Sequence, residues 1–174
     1  MLYILSLPLL LFGCQSKTYY QAMNTNQQRF GGTRLVDAEF LNESHDQIRL
    51  IEVMTVTAME RSVMKETYIR AKETHRITEQ VTKKHEFEAL KHRIKLASTL
   101  STSKDSQLQK LYEVSDDHFD IVYMQQMQKQ LSELILSLKQ YIESGTDLKL
   151  VAFSNDTLIK IEKMARELTI YSYS

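Results

Sequence analysis

The sequence predicts an all-α protein of long helices, preceded by an export signal. Pro8 is the only proline among the 174 residues, and after Gly13 the only glycines are Gly31, Gly32 and Gly145. β-sandwiches, barrels and α/β folds need more turn residues than this. Apolar residues also recur every three or four positions, which is the spacing of amphipathic helices.

The first predicted element is a signal peptide over residues 1–13. An apolar run from Leu2 to Phe12 precedes Gly13 and Cys14, the only cysteine. The pattern resembles the lipobox of bacterial lipoprotein signal peptides, in which the thiol is acylated. The run is about half of the roughly 20 residues that a membrane-spanning helix needs. Cys14 is therefore the predicted lipidation site, and the alternatives are an ordinary signal peptide or a frayed apolar terminus.

Residues 14–32 are predicted to be the acylated cysteine and a flexible tether, because the segment after Cys14 is polar and ends in two glycines. Gln15 occupies the position where an Asp commonly signals inner-membrane retention. We therefore expect delivery to the outer membrane of a Gram-negative bacterium, with a helical domain over residues 33–174.

Two helices are predicted at the start of this domain. A short helix from Asp37 to Asn42 precedes a capping box at Ser44–Gln47, which begins the next helix.

Residues 63–97 have helical composition, but their apolar positions change phase. Phe87, Leu90 and Ile94 share one face. Ile77 and Val81 lie on roughly the opposite face. Either the helix breaks near residues 78–82, or it buries two faces at different heights.

Residues 98–106 are predicted to form a loop, followed by a short helix around residues 108–114. The clearest helix then runs from Ser115 to Ser144, before Gly145. Its apolar face comprises Phe119, Tyr123, Met127, Leu131, Leu134, Leu138 and Tyr141.

The last helix starts near Asp147, and its apolar face comprises Val151, Leu158, Ile161, Ala165 and Leu168. The short connection makes the two helices an antiparallel hairpin.

Several segments resemble a known family. They are Asp37–Phe40, Phe119–Met124, Asp147–Ala152 and Thr157–Leu158, and the resemblance extends from about Asp37 to Ile170. The family consists of predicted bacterial outer-membrane proteins with a ferritin-like domain of unknown function. The resemblance implies a four-helix bundle, often exported or lipid-anchored, with no established activity.

Metal binding has weak support in the sequence. None of the five histidines has Glu three positions before it, so the Glu-x-x-His motif of di-iron bundles is missing. The candidate ligands are His75, His85, Glu88 and His92. If the face of Phe87 is buried, His85, Glu88 and His92 face water, and the two histidines are about 10 Å apart along the helix.

The resemblance adds one observation about histidines. Members of the family often carry inward histidines late in the second, third and fourth helices. The matching positions here hold Leu131 and Met164, and only His75 or His85 remains. The sequence therefore predicts no metal or other cofactor.

Charge is balanced, with 22 basic and 22 acidic residues, and this gives no indication of nucleic-acid binding. Residues 65–95 carry a basic excess and residues 104–147 an acidic excess. Internal pairing between the two segments is the favoured interpretation, and the alternative is a patch for anionic lipid or another protein.

The functional expectation is a lipid-anchored envelope protein that is not an enzyme. No motif for a nucleophile or for phosphate cradling occurs. The protein is expected to be a binding or structural module, with the membrane and an unknown envelope protein as partners. The alternative is a metal- or oxidant-handling ferritin-like protein with a degenerate site.

Overall fold

A computed structural model describes residues 18–169, in which it contains six helices and no strand. The all-α prediction is confirmed. The helices are α1 (Tyr19–Arg29), α2 (Thr33–Arg61), α3 (Lys65–Lys91), α4 (Thr102–Tyr112), α5 (Asp116–Ser144) and α6 (Leu148–Thr169). Across these ranges, no helix combines the length and the apolar character that crossing a membrane requires.

Side-chain hydrogen bonds cap the N-termini of several helices. The hydroxyl of Thr18 accepts from the backbone N–H of Gln21, whose side chain bonds back to Thr18, so α1 starts with a capping box. The carboxylate of Asp147 accepts from the backbone N–H of Lys149 and Leu150 at 2.9 and 3.2 Å, which starts α6 as predicted.

Helix α2 lies in the middle of the domain, in contact with α1, α3, α4 and α5, while α6 packs on α5 and α3. Most of α2 between Asp37 and Ala58 is buried on all sides. Because α2 is buried so completely, its polar side chains lie in the core together with its apolar ones, and those polar groups need hydrogen-bond partners.

The α5–α6 hairpin is confirmed, and every predicted apolar residue of α5 is buried. In α6, Ile161 and Leu168 are buried, and Val151, Leu158 and Ala165 pack against the core. A side chain at Gly145 would bring its Cβ to 2.6 Å from the carbonyl oxygen of Tyr141, so this position requires glycine for space.

The predicted helix start at Ser44 is wrong, and so is the separate short helix from Asp37 to Asn42. One continuous helix, α2, runs through both. The Ser44 hydroxyl donates to the carbonyl of Phe40 at 2.7 Å, four residues earlier. A serine in a helix interior often bonds backward in this way, and sequence cannot distinguish it from a cap.

Of the two alternatives for residues 63–97, the break near residues 78–82 is absent, because α3 is continuous. Its buried face carries Ile77, Val81 and His85, whereas Phe87 is 56% and Leu90 is 74% exposed. The assumption that Phe87 and Leu90 face the core was therefore wrong.

The flexible tether is wrong for residues 19–29, which form α1. Ala22 is fully buried, and the Asn26 side chain donates to the carbonyl of Lys95 at 2.8 Å and accepts from its N–H at 2.9 Å. Helix α4 also begins inside the predicted loop, at Thr102. The signal peptide and Cys14 lie outside the described residues.

The predicted pairing of the basic and acidic segments is mostly wrong. Along α3, the carboxylates of Glu73, Glu79 and Glu88 pair with basic residues three or four positions later in the same helix. Between the two segments, the described contact joins His92 and Asp147 at 3.4 Å.

Candidate functional site

The candidate ligands predicted on α3 do not converge. His85 points into the core and is fully buried, so the prediction that it shares a solvated face with Glu88 and His92 is wrong. Glu88 pairs with Lys91 at 2.8 Å, and His92 ends α3 beside Asp147. The buried face of α3 was assigned to Phe87 instead of His85, so His85 is a core residue and not a surface candidate ligand.

His85 instead lies near a second buried histidine, His45 on α2. Their ring centroids are 6.5 Å apart, and the ring of His85 packs edge-on against Phe153 at 4.7 Å. Nε2 of His85 is 3.1 Å from the Ser44 hydroxyl, and Nδ1 is 3.3 Å from the carbonyl oxygen of Val81. Both nitrogens of His85 therefore lie within hydrogen-bond distance of protein groups.

Burial keeps both imidazoles neutral. Loss of solvation lowers the pKa of His85 to about 3, and the nearby His45 acts in the same direction. Burial lowers the pKa of His45 to about 4, with a smaller effect from the Arg49 charge, opposed by a hydrogen bond to the Ala97 backbone. Nδ1 of His45 is buried without a partner among the described residues.

This histidine pair is not joined by other ligands. In residues 18–169, no three His, Cys, Asp or Glu side chains come close enough to share a metal ion. Leu131 and Met164, which occupy positions where the resembled family often has histidine, are core side chains here. His75 on α3 is only partly buried, and its Nδ1 also lacks a partner within this range.

Buried polar side chains on α2 hold the connection between α3 and α4. The Asn42 amide donates to the carbonyl of Lys95 at 2.7 Å and accepts from the N–H of Ala97 at 3.2 Å. The Asp46 carboxylate accepts from the N–H of Ser101 at 2.9 Å. These groups satisfy backbone atoms that would otherwise be buried without partners, so their role is structural.

A mixed-charge groove of about 280 Å³ lies where α1 begins against α2. Its lining includes Tyr19, Glu43, Asp46, Lys104 and Glu133. Burial raises the pKa of Glu43 and of Asp46, and it raises that of Tyr19 to about 12 with help from nearby carboxylates.

A different surface lies where α1 and α3 end and α2 begins. A cavity of about 330 Å³ is lined by Arg29, Phe30, Arg34, Lys91, His92 and Arg93, without a carboxylate. The Cζ atoms of Arg29 and Arg34 lie 5.5 and 4.9 Å from the ring centroid of Phe30. Nη1 of Arg29 donates to the carbonyl of Arg93 at 2.9 Å. We call Arg29, Arg34 and Arg93 the arginine cluster.

Sequence reasoning missed the arginine cluster because Arg29 was assigned to the tether, Arg34 to the start of the helical domain and Arg93 to the helical stretch over residues 63–97. The available signal was the order Arg29-Phe30-Gly31-Gly32-Thr33-Arg34. Read as a tight turn between two helices, it would have placed both arginines at one end of the domain. His45 was missed because it was assigned to a capping box.

Among proteins of known function and among solved structures, none shows significant similarity to this chain. A match to a protein family covers residues 22–169, from within α1 to the end of α6. The family is described as a domain of unknown function, DUF4142. Since the match extends over most of the chain, the protein belongs to this family.

Proposed function

We propose that the protein is a non-catalytic binding module of the cell envelope, anchored by acyl chains on Cys14. Its fold would be a four-helix bundle of the ferritin type formed by α2, α3, α5 and α6. The packing of α2 on α3 and α5, and of α6 on α5 and α3, supports this topology.

The observation that carries the proposal is how the buried polar groups are used. Asn42 and Asp46 bind backbone atoms of the α3–α4 connection, and Gln47 donates to Gln130 on α5. The histidine pair is sealed in the core, with its pKa values lowered below the physiological range. Catalytic groups need access to a substrate, whereas Asn42, His45 and His85 lie in the core and contact the protein itself. The accessible polar groups line surface cavities of about 280 and 330 Å³.

Anchoring is the part of the proposal that is easiest to test. Cys14→Ser should move the protein from the membrane to the soluble fraction of its own cells, because one residue carries all the acyl chains. Ser16→Ala, two residues away, is the matched control and should remain with the membrane. Full membrane retention of Cys14→Ser would contradict the proposal. Sucrose-gradient separation of inner and outer membranes then tests the expected outer-membrane location.

Binding can be tested with the same pair of variants. Cross-linking in cells, followed by purification, should recover an envelope protein with the Ser16→Ala form and much less of it with Cys14→Ser. The anchor confines the domain near one membrane and so raises its effective concentration for partners there. Equal recovery with both variants would show that the anchor does not serve binding.

The second candidate is a metal- or oxidant-handling role. It is favoured by the approach of the His45 and His85 rings and by the unpartnered Nδ1 of His45. Structural and catalytic metal sites usually need three or four ligands, and this pair offers two. Metal analysis of tag-free protein decides between the two candidates. We expect no stoichiometric metal, and about one equivalent that is lost in His85→Gln would favour the second candidate.

A further inference from the structure

The arginine cluster combines three positive charges without an ion-pair partner. None of Arg29, Arg34 and Arg93 forms an ion pair with an acidic side chain in residues 18–168, and the cavity of about 330 Å³ that all three line contains no carboxylate. By contrast, Arg76 and Lys83 on α3 pair with glutamates of their own helix at 2.6 Å. Arg34 also lines a neighbouring cavity with Asp37, which accepts from the Tyr141 hydroxyl, and Asp147, which lies 3.4 Å from Nδ1 of His92.

Interaction with helix dipoles accounts for the position of some of the cations that line this cavity, but not of all. Arg29 and Lys91 lie in the last turns of α1 and α3, where a cation is favourable. Arg34 lies in the first turn of α2, where the helix dipole disfavours a cation. That turn contains no acidic residue, and Gly32 provides no capping side chain. A bound anion would compensate both Arg34 and the uncapped helix start.

The cluster is also held in place before any ligand arrives. The guanidinium groups of Arg29 and Arg34 share the Phe30 ring, and Arg29 is fixed by its bond to the carbonyl of Arg93. Arg93 has a φ of 57° because it follows the C-cap of α3 in a Schellman motif, in which the N–H of Ile94 donates to the carbonyl of Ala89 at 2.8 Å. This helix end fixes the backbone from which the Arg93 side chain extends. A site arranged in advance loses less entropy on binding.

We propose that the arginine cluster binds a phosphate group. Guanidinium groups form planar forks that match phosphate oxygens in bidentate pairs, and these bonds are stronger than neutral ones. A cavity of about 330 Å³ leaves room for more than the phosphate itself, as in a phosphate ester or a phospholipid headgroup. The proposal rests on the proposed binding function and adds a ligand class to it.

The test uses the full chain carrying Cys14→Ser, so that its result does not depend on acylation. Isothermal titration calorimetry at low ionic strength measures the affinity for inorganic phosphate. Sedimentation with vesicles of equal parts phosphatidylcholine and phosphatidylglycerol, against pure phosphatidylcholine, measures binding to phospholipid headgroups. Each assay compares Arg34→Gln and Arg93→Gln with the control Lys65→Gln, which removes a cation from the first turn of α3.

The expected result is saturable phosphate binding that weakens about tenfold in each arginine variant and is unchanged in Lys65→Gln. Arg34→Gln should lose binding without a lower melting temperature, because it removes an unfavourable helix charge. If Arg34 had only a structural role, Arg34→Gln would lower the melting temperature and leave phosphate binding unchanged.

The two assays also distinguish the sources of the phosphate. Binding of inorganic phosphate without vesicle binding supports a soluble phosphate ester. Vesicle binding that both arginine variants lose supports a lipid headgroup. The proposal is overturned if neither ligand binds, or if the arginine variants bind as Lys65→Gln does.

Discussion

The α5–α6 hairpin and the central helix α2 are both buried, but different forces hold them. The hairpin buries an apolar stripe along α5 against α6, in which the Tyr141 hydroxyl, donating to Asp37, is the described side-chain atom with a specific partner on another helix. Helix α2 buries Asn42, Asp46 and Gln47, each bonded to a particular atom elsewhere in the chain. Burial of apolar surface is non-directional, whereas a buried hydrogen bond is lost when either partner changes.

The comparison shows that the two regions differ in which substitutions they tolerate. The hairpin tolerates apolar side chains of similar size, whereas α2 needs particular polar groups. An apolar stripe accepts other side chains of similar size at small cost. The connection over residues 92–101 depends on a few amide and carboxylate groups, and it has no regular structure of its own. We expect the two regions to respond to mutation with different magnitudes and in different observables.

The largest effect should follow from truncating the hairpin core. Leu134→Ala should lower the free energy of unfolding by about 2–5 kcal/mol, because it leaves a cavity in a close-packed interior. The control is Leu136→Ala on the same helix, where the side chain is 58% exposed. That variant should stay within about 0.5 kcal/mol. Urea unfolding measures both, and equal effects would mean that Leu134 does not lie in a close-packed apolar core.

Acid should destabilise the protein through the histidine pair. The unfolded chain takes up protons near pH 6.5, whereas the native pKa values of His45 and His85 are about 4 and 3. The contribution of the two histidines to the free energy of unfolding is therefore fully present above about pH 6.5. As the pH falls below that value, the free energy of unfolding decreases by about 1.4 kcal/mol per pH unit for each histidine. Burial raises the native pKa values of Glu43 and Asp46, which opposes this trend.

Because of that opposition, the difference between variants is the quantity to measure. Urea unfolding between about pH 5 and 6.5 should show a shallower loss of stability in His85→Gln than in the wild type. The exposed His118 is the control, and His118→Gln should keep the full slope. An unchanged slope in His85→Gln would mean that this histidine is not held neutral in the core.

A smaller effect is expected at the connection. Asn42→Ala should cost about 1–3 kcal/mol, because it leaves the N–H of Ala97 without its partner. Hydrogen exchange at Ala97 should accelerate while exchange in α5 stays slow. Asn155→Ala, which removes an exposed amide bonded only within α6, should change neither. Fast exchange throughout α5 would show that the two regions are not separable.

The smallest effect is expected where α1 meets the connection. Asn26→Ala removes two bonds to Lys95, whose carbonyl keeps its bond from Asn42. The loss should be about 1 kcal/mol, near the net value of an ordinary hydrogen bond. The exposed Asn24 provides the control. If Asn26→Ala has no more effect than Asn24→Ala, α1 does not contribute to stability through this contact.

The features that depend on the periodicity of apolar residues were predicted correctly from the sequence. The all-α class, the α5–α6 hairpin and its buried residues follow from apolar spacing, which is local information. Ser44 was misread as a helix cap, because a serine that bonds backward within a helix has the same sequence signature, and Asn26 was misread as exposed, because its partner Lys95 is distant in sequence. His85 was placed on the wrong face because α3 buries Thr74 and Thr78 beside Ile77, so its apolar stripe is faint. Long-range polar contacts cannot be read from one sequence.

Helix α1 has a further consequence for how the domain would be presented to a bilayer. It turns back along α2, so that Tyr19 lies beside Glu43 and Asp46 rather than beyond the end of the domain. Only four residue steps separate Thr18 from Cys14, and they span at most about 14 Å. With Cys14 acylated, the flank that carries Tyr19 would therefore be held close to the lipid surface.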